Sequence, residues 1–188
     1  VVYQFTRRAR QNIIKVLKPY FEEAVRVYDG YEWLEIPQVH VVDAEEWDSR
    51  LLPAIVTQNA RGRAIDITIG GLISELQDTT GEFGEVGATY EVRGGQGAFT
   101  LELLCASNSQ KTQQLIADRA AFLLTLLREQ IYNDYLMLLS NDISVAEAGK
   151  APGAPEQESV WITRLSVSLT ADFRILVRRD TISQIVVL

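Results

Sequence analysis

The chain contains one cysteine, one histidine and one methionine in 188 residues. A lone Cys105 cannot close an internal disulfide, which fits a reducing compartment or indifference to redox state. A lone His40 cannot build a multi-histidine metal site, and no serine or cysteine nucleophile motif accompanies it. Long apolar runs are also missing: residues 120–124 and 185–188 are the longest, far below the roughly 18 needed to cross a bilayer. No apolar signal core opens the chain, which begins at Val1 and is expected to lack some preceding residues. Nor is there an excess of cations. With 18 basic against 25 acidic residues the net charge is −7, which disfavours a dedicated nucleic-acid binder, because such affinity rests on neutralising phosphates. These absences predict a soluble protein made inside a cell, with one domain over residues 1–188, no cofactor, no metal and no membrane contact. A chain of this length buries roughly 70% of its unfolded surface.

What is present is an unbroken alternation over residues 161–177. Trp161, Thr163, Leu165, Val167, Leu169, Ala171, Phe173, Ile175 and Val177 mark one face, and Ile162, Arg164, Ser166, Ser168, Thr170, Asp172, Arg174, Leu176 and Arg178 the other, mostly polar one. Period two with one apolar face predicts a half-buried strand. Strands usually run about 3–10 residues, so this one is expected to outrun its own core and need a second sheet or another subunit over the excess.

Three- and four-residue spacing of Ile13, Ile14, Leu17, Phe21 and Val25 predicts a helix over residues 7–25, kinked at Pro19 and ended by Asp29-Gly30. Residues 39–42 and 54–58 read as short strands, and Ile65, Ile67 and Ile69 as another, closed by Gly70-Gly71. The glycine-rich, acidic stretch 74–97 predicts a long loop or a twisted hairpin arm. Phe99, Leu101, Leu103 and Cys105 alternate as a strand, and Ser107 with Gln110 has capping-box spacing for a helix start. That helix is expected to bury Leu115, Ile116, Phe122, Leu123, Leu126, Leu127 and Ile131 and to extend towards Leu139. Residues 141–158 are polar, small and proline-containing, which predicts a flexible insertion, and residues 181–188 read as a strand-like tail. The order predicts an α+β fold: a mostly antiparallel sheet, two main helices on one face, and a long hairpin or extended arm.

Motifs that could carry chemistry are weak. Cys105 is in phase with buried neighbours and reads as a core thiol. Gly94-Gly95-Gln96-Gly97 lacks the Lys-Ser/Thr of a phosphate loop and precedes a strand, so it reads as a flexible turn. Acidic doublets at Glu22-Glu23 and Glu45-Glu46 have no hydrolase signature around them. Core packing is the preferred reading for Trp33, Trp47 and Trp161. No catalytic residue is assigned, and the chain is not read as an enzyme.

Assembly is the better reading. Arg7, Arg8 and Arg10, Arg61 and Arg63, and Arg174, Arg178 and Arg179 form basic groups, and Glu82 and Glu85 lie in an acidic stretch. Opposite local charges on one chain suit head-to-tail contacts, which join two different patches. The apolar end, Ile185-Val186-Val187-Leu188, must add to a sheet, its own or a neighbour's. Candidate interface residues are therefore Arg61, Arg63, Glu82, Glu85, Arg174, Arg178, Ile185 and Val187.

The order of elements resembles the tail-terminator and neck proteins of tailed bacteriophages. The likeness rests on the helix at 7–25, Leu-Pro-Ala-Ile-Val at 52–56, the glycine-rich strand 97–106 running into the helix 110–128, and Arg164-Leu165-Ser166-Val167-Ser168-Leu169 in the last strand. It spans roughly residues 7 to 173, and departs from the pattern at 74–95, at 141–158 and past Phe173. It implies a homo-oligomeric ring, commonly a hexamer, at the head–tail junction of a virion assembled in the host cytoplasm. Such a ring joins tail tube to connector, and DNA passes through its lumen without specific binding. Two other readings stand beside it: a carboxylate-based hydrolase, and an adaptor that adds residues 181–188 as a strand to a partner's sheet.

Overall fold

The alternation folds as a strand of 18 residues, β8 (Trp161–Arg178), paired antiparallel along its whole length with a strand of 19, β6 (Thr89–Ser107). The computed structural model describes residues 2–28, 30–48, 50–60, 65–83, 86–150, 160–179 and 185–187. At the Ser107 end of β6, strand β4 (Ala54–Asn59) pairs antiparallel with it, and β3 (His40–Asp43) adds parallel to β4. At the Thr89 end, β5 (Asp66–Gln77) occupies the same edge of β6. The far edge of β8 holds β7 (Met137–Lys150) and, beyond it, β9 (Ile185–Val187). Among the described residues this makes a seven-stranded sheet, beside which β1 (Val25–Tyr28) and β2 (Trp33–Ile36) form a separate hairpin.

Helices α1 (Val2–Leu17), α2 (Gln110–Leu126) and α3 (Arg128–Tyr135) cover one face of the sheet. Of the odd-numbered positions of β6 and β8, Leu101, Leu103, Leu165 and Val167 are fully buried with Ile13, Leu17, Ile116, Ala120 and Ile131. Each large aliphatic side chain buried this way contributes about 1.5–3 kcal/mol of transfer free energy. Between these buried positions the even-numbered face carries Thr100, Ser166 and Ser168, partly or fully exposed, beside the buried Glu102. The fold is α+β and mostly antiparallel, as the patterning predicts.

Several elements differ from the sequence reading, each for a local reason. The first helix ends at Leu17, where Pro19 starts a 3-10 turn (Lys18–Tyr20), and Val25 belongs to β1. Gly30 therefore lies between two strands instead of closing a helix, and Asp29 lies outside the described residues. Ser109 caps α2, its Oγ accepting from the Thr112 N–H at 3.3 Å, while Ser107 Oγ accepts from the Ser109 N–H at 3.2 Å. Leu136, with φ 53°, takes the left-handed conformation that stops α3 short of Leu139.

The stretch 74–97 takes the hairpin alternative, whereas the described part of the expected flexible insertion at 141–158 is strand. Residues 74–77 continue β5 past Gly70-Gly71, whose surroundings hold register shifts between Ile69 and Ser74, and residues 89–97 belong to β6. Residues 141–150 continue β7, and residues 151–158 lie outside the described residues. The Gly94–Gly97 segment is not a flexible turn. A Cβ on Gly95 would meet the Phe173 ring at 2.5 Å, and one on Gly97 would collide with the ring of Phe5. These glycines let aromatic rings lie against the strand backbone.

Candidate functional site

Over residues 89–96 of β6 and 172–178 of β8 the ribbon runs past β4 and β7 as an arm of the sheet, with β5 on one edge and β9 on the other. The expected overhang of β8 is covered within the chain: Phe173 is 7% exposed and Ile175 fully buried, the latter in the main core with Ile67 and Val177 packed against it. On the other face Tyr90, Val92, Ala88 and Leu176 form a second small core, with Phe83 against it. The Ile185–Val187 backbone pairs with Val177 to Ile175 of its own β8, so this part of the tail is used internally.

The uncovered apolar surface lies on β5 instead. Ile69, Leu72 and Ile73 are 48%, 53% and 55% exposed, and Leu76 is also exposed. Among the described residues no strand pairs with the outer edge of β5. An open edge carrying large apolar side chains is a template for another chain, and monomeric proteins normally blunt it.

Asp78 fixes the tip of the arm. Its Oδ1 accepts from the N–H groups of Thr80 (3.1 Å), Gly81 (2.7 Å) and Glu82 (3.2 Å), and its Oδ2 from that of Phe83 (2.8 Å). Burial favours the neutral carboxyl, but the Phe83, Gly81, Thr80 and Glu82 donors outweigh it and hold the pKa below its ordinary value of 3.8. The Tyr90 hydroxyl donates to the Phe83 carbonyl at 2.9 Å and ties the tip to its small core.

The predicted interface residues divide accordingly. Glu82 is exposed at the tip, Arg174 is exposed on β8 opposite Gly94, and Arg178 ends β8 opposite Tyr90. Ile185 and Val187 lie in β9 on the same arm. Arg61, Arg63 and Glu85 lie outside the described residues. Arg10, grouped in sequence with Arg7 and Arg8, is instead buried within the chain. Its Nε donates to Asp43 at 2.8 Å, Nη2 to Glu45 at 2.8 Å and Nη1 to Asn59 at 3.2 Å. That knot ties α1 to β3 and β4.

Two further surfaces depart from expectation. Phe122 and Leu126, assigned by spacing to the buried stripe of α2, are 63% and 62% exposed. Trp33, read as core, is exposed, with its ring 5.4 Å from Tyr28 on the β1–β2 hairpin beside exposed Tyr31. The helical repeat in α2 identifies its buried side only where the apolar stripe is narrower than the helix. Here apolar residues extend onto the outward side.

A shallow groove of about 520 Å³ opens by Asp66, Thr100, Ser168, Thr170, Ser140 and Arg128. Arg128 donates to Asn141 Oδ1 at 2.6 Å and to the Ser140 carbonyl at 2.8 Å, where it supports the irregular stretch of β7 between Leu139 and Ile143. The groove is lined by one carboxylate, Asp66, and not by the pair that glycoside hydrolysis uses. Burial, with the Asp118 charge adding to it, pushes the Cys105 thiol up to about 12, the state of an inert core cysteine. Among the described residues no group of His, Cys, Asp and Glu is arranged to hold a metal ion, and no helix is long and apolar enough to cross a membrane. Compared with models of protein families and with curated proteins, the chain matches none.

Proposed function

We propose that this chain is a structural subunit of a tailed-phage particle that self-associates into a ring at the head–tail junction. There it would join tail tube to connector and let DNA pass. The observation that carries the reading is β5: a 12-residue edge strand on a projecting arm, with Ile69, Leu72 and Ile73 about half exposed. The arm has core contacts on both faces of its ribbon, yet β5 offers a neighbour both backbone hydrogen bonds and apolar area. The element order that resembles tail-terminator and neck proteins supports the same reading. A ring of chains that each carry −7 would also discourage DNA from sticking as it slides through.

The strand-adding adaptor is the second reading, with β5 in place of the tail as the strand offered, since Ile185–Val187 is already paired with β8. Sedimentation of the full chain over a range of concentrations separates the two. A ring subunit forms a discrete closed oligomer. An adaptor stays monomeric until its partner is added.

A further inference from the structure

Four exposed cations lie on one side of α1: Arg7, Arg8, Lys15 and Lys18, the last just past its end. With Gln4 and Gln11 they follow three- and four-residue spacing, and the exposed part of the helix has no acid. Among the described residues Arg10, on the inward side, is the cation of this segment that finds a carboxylate. Among the described residues these four positive charges meet no carboxylate, on a chain of net charge −7.

Part of that negative charge faces outward on α2 and α3. Asp118, Phe122 and Leu126 recur every fourth residue on α2 and are exposed, and Glu129 follows, exposed, in the first turn of α3. The cations of these helices do not neutralise them. Lys111 pairs with Glu32 at 3.0 Å, Arg119 donates to the Tyr20 carbonyl and lies over the Phe21 ring, and Arg128 is bonded to Ser140 and Asn141. The outcome is an apolar ridge, Phe122 and Leu126, flanked by acids.

We infer that the cationic side of α1 in one copy docks on the acid-flanked Phe122–Leu126 ridge of the next copy. The two surfaces differ in element and are opposite in charge, as a head-to-tail contact requires and a two-fold contact does not. The long stems of Arg8 and Lys15 can cover the Phe122 and Leu126 side chains while their charged ends reach Asp118 and Glu129. This inference rests on the ring-subunit reading and specifies which faces meet.

The test is a charge exchange in the full chain, read by sedimentation velocity at low and high salt, with circular dichroism to confirm folding. Arg8→Glu with Lys15→Glu is expected to raise the dissociation constant about tenfold or more, and Asp118→Lys with Glu129→Lys to do the same. Mixing the two folded variants, or combining all four changes, is expected to recover most of the loss, and salt is expected to weaken the wild-type contact. Both exchanged variants associating like wild type, or each failing with no recovery on mixing, overturns the pairing while the ring reading stands. Loss with the α1 variant alone, together with wild-type binding of duplex DNA that the same changes abolish, also overturns it and assigns the helix face to a polyanion. A wild-type chain that never associates overturns both the pairing and the ring reading.

Discussion

The ring of Phe173 fills the space over Gly95, its cross-strand partner in β6, so closely that a Cβ there would lie 2.5 Å from the ring. Phe5 of α1 does the same over Gly97, and the Phe5 and Phe173 rings lie 5.0 Å apart. The arm is thus anchored to the core by two aromatic side chains seated on bare backbone. Gly95→Ala and Gly97→Ala are each expected to cost about 1–3 kcal/mol by overpacking. Phe173→Leu should relieve part of the Gly95→Ala loss. Urea unfolding of the three variants and the pair checks this, and additive losses would contradict it.

The Arg10 knot predicts a strong asymmetry. Arg10 and Asp43 are 4% and 2% exposed, so removing Arg10 leaves Asp43 buried without its charge partner, and removing Asp43 leaves the buried Arg10 with Glu45 alone as a charge partner. Arg10→Ala or Asp43→Ala is expected to cost about 3–5 kcal/mol. Glu45→Ala should cost well under that, because its side chain is 45% exposed and its pairing is screened by water. Arg10→Lys is expected to rescue poorly, since one ammonium cannot reach three separated acceptors in the fork geometry of a guanidinium. Denaturant midpoints of the four variants give the order directly.

The Asp78 carboxylate makes the arm tip sensitive to acid. Its folded pKa lies below the ordinary 3.8, so the stability it contributes is fully present above that value and is lost as pH falls through the lower, folded value. The amide signals of Gly81 and Phe83, which donate to this carboxylate, should hold steady from neutral pH to about 4 and shift together below it. Asp78→Ala is expected to abolish their protection at neutral pH while the Leu101 and Leu165 core stays intact. Titration by nuclear magnetic resonance reads both.

Cys105 is fully buried, with its thiol raised to about 12, so alkylation at pH 8 should be negligible in the native protein and complete on unfolding. Rapid labelling of the native chain would contradict the packing of β6 against α2.

The elements legible in the sequence are those whose side chains report burial. Trp161 to Val177 alternate because one face of β8 meets the helices, and Phe99 to Cys105 do so for the same reason. The arm was only half legible. In β5 both faces are exposed, so alternation has nothing to record, and in β6 the inward positions 95 and 97 are glycines because rings from elsewhere fill their places. Residues 141–150 run along an edge, where polar and small side chains suffice, and so resemble a loop. The Arg10 partners stand 33 to 49 residues away, beyond any local pattern. Phe122 and Leu126 matched the helical repeat of the core and lie outside it. An outward apolar pair is invisible to periodicity and visible only once the packing is known.

The central claim is that neighbouring copies cover what β5 leaves open. It is tested most directly by measuring the mass of the native full chain beside that of Leu72→Lys with Ile73→Lys. Both positions are more than half exposed, so the changes should alter stability by about 0.5 kcal/mol or less and leave the monomer folded. A closed oligomer is expected for the wild type, with a shift towards monomer in the variant. A wild-type monomer at every concentration, or an oligomer unchanged by the two lysines, would contradict it.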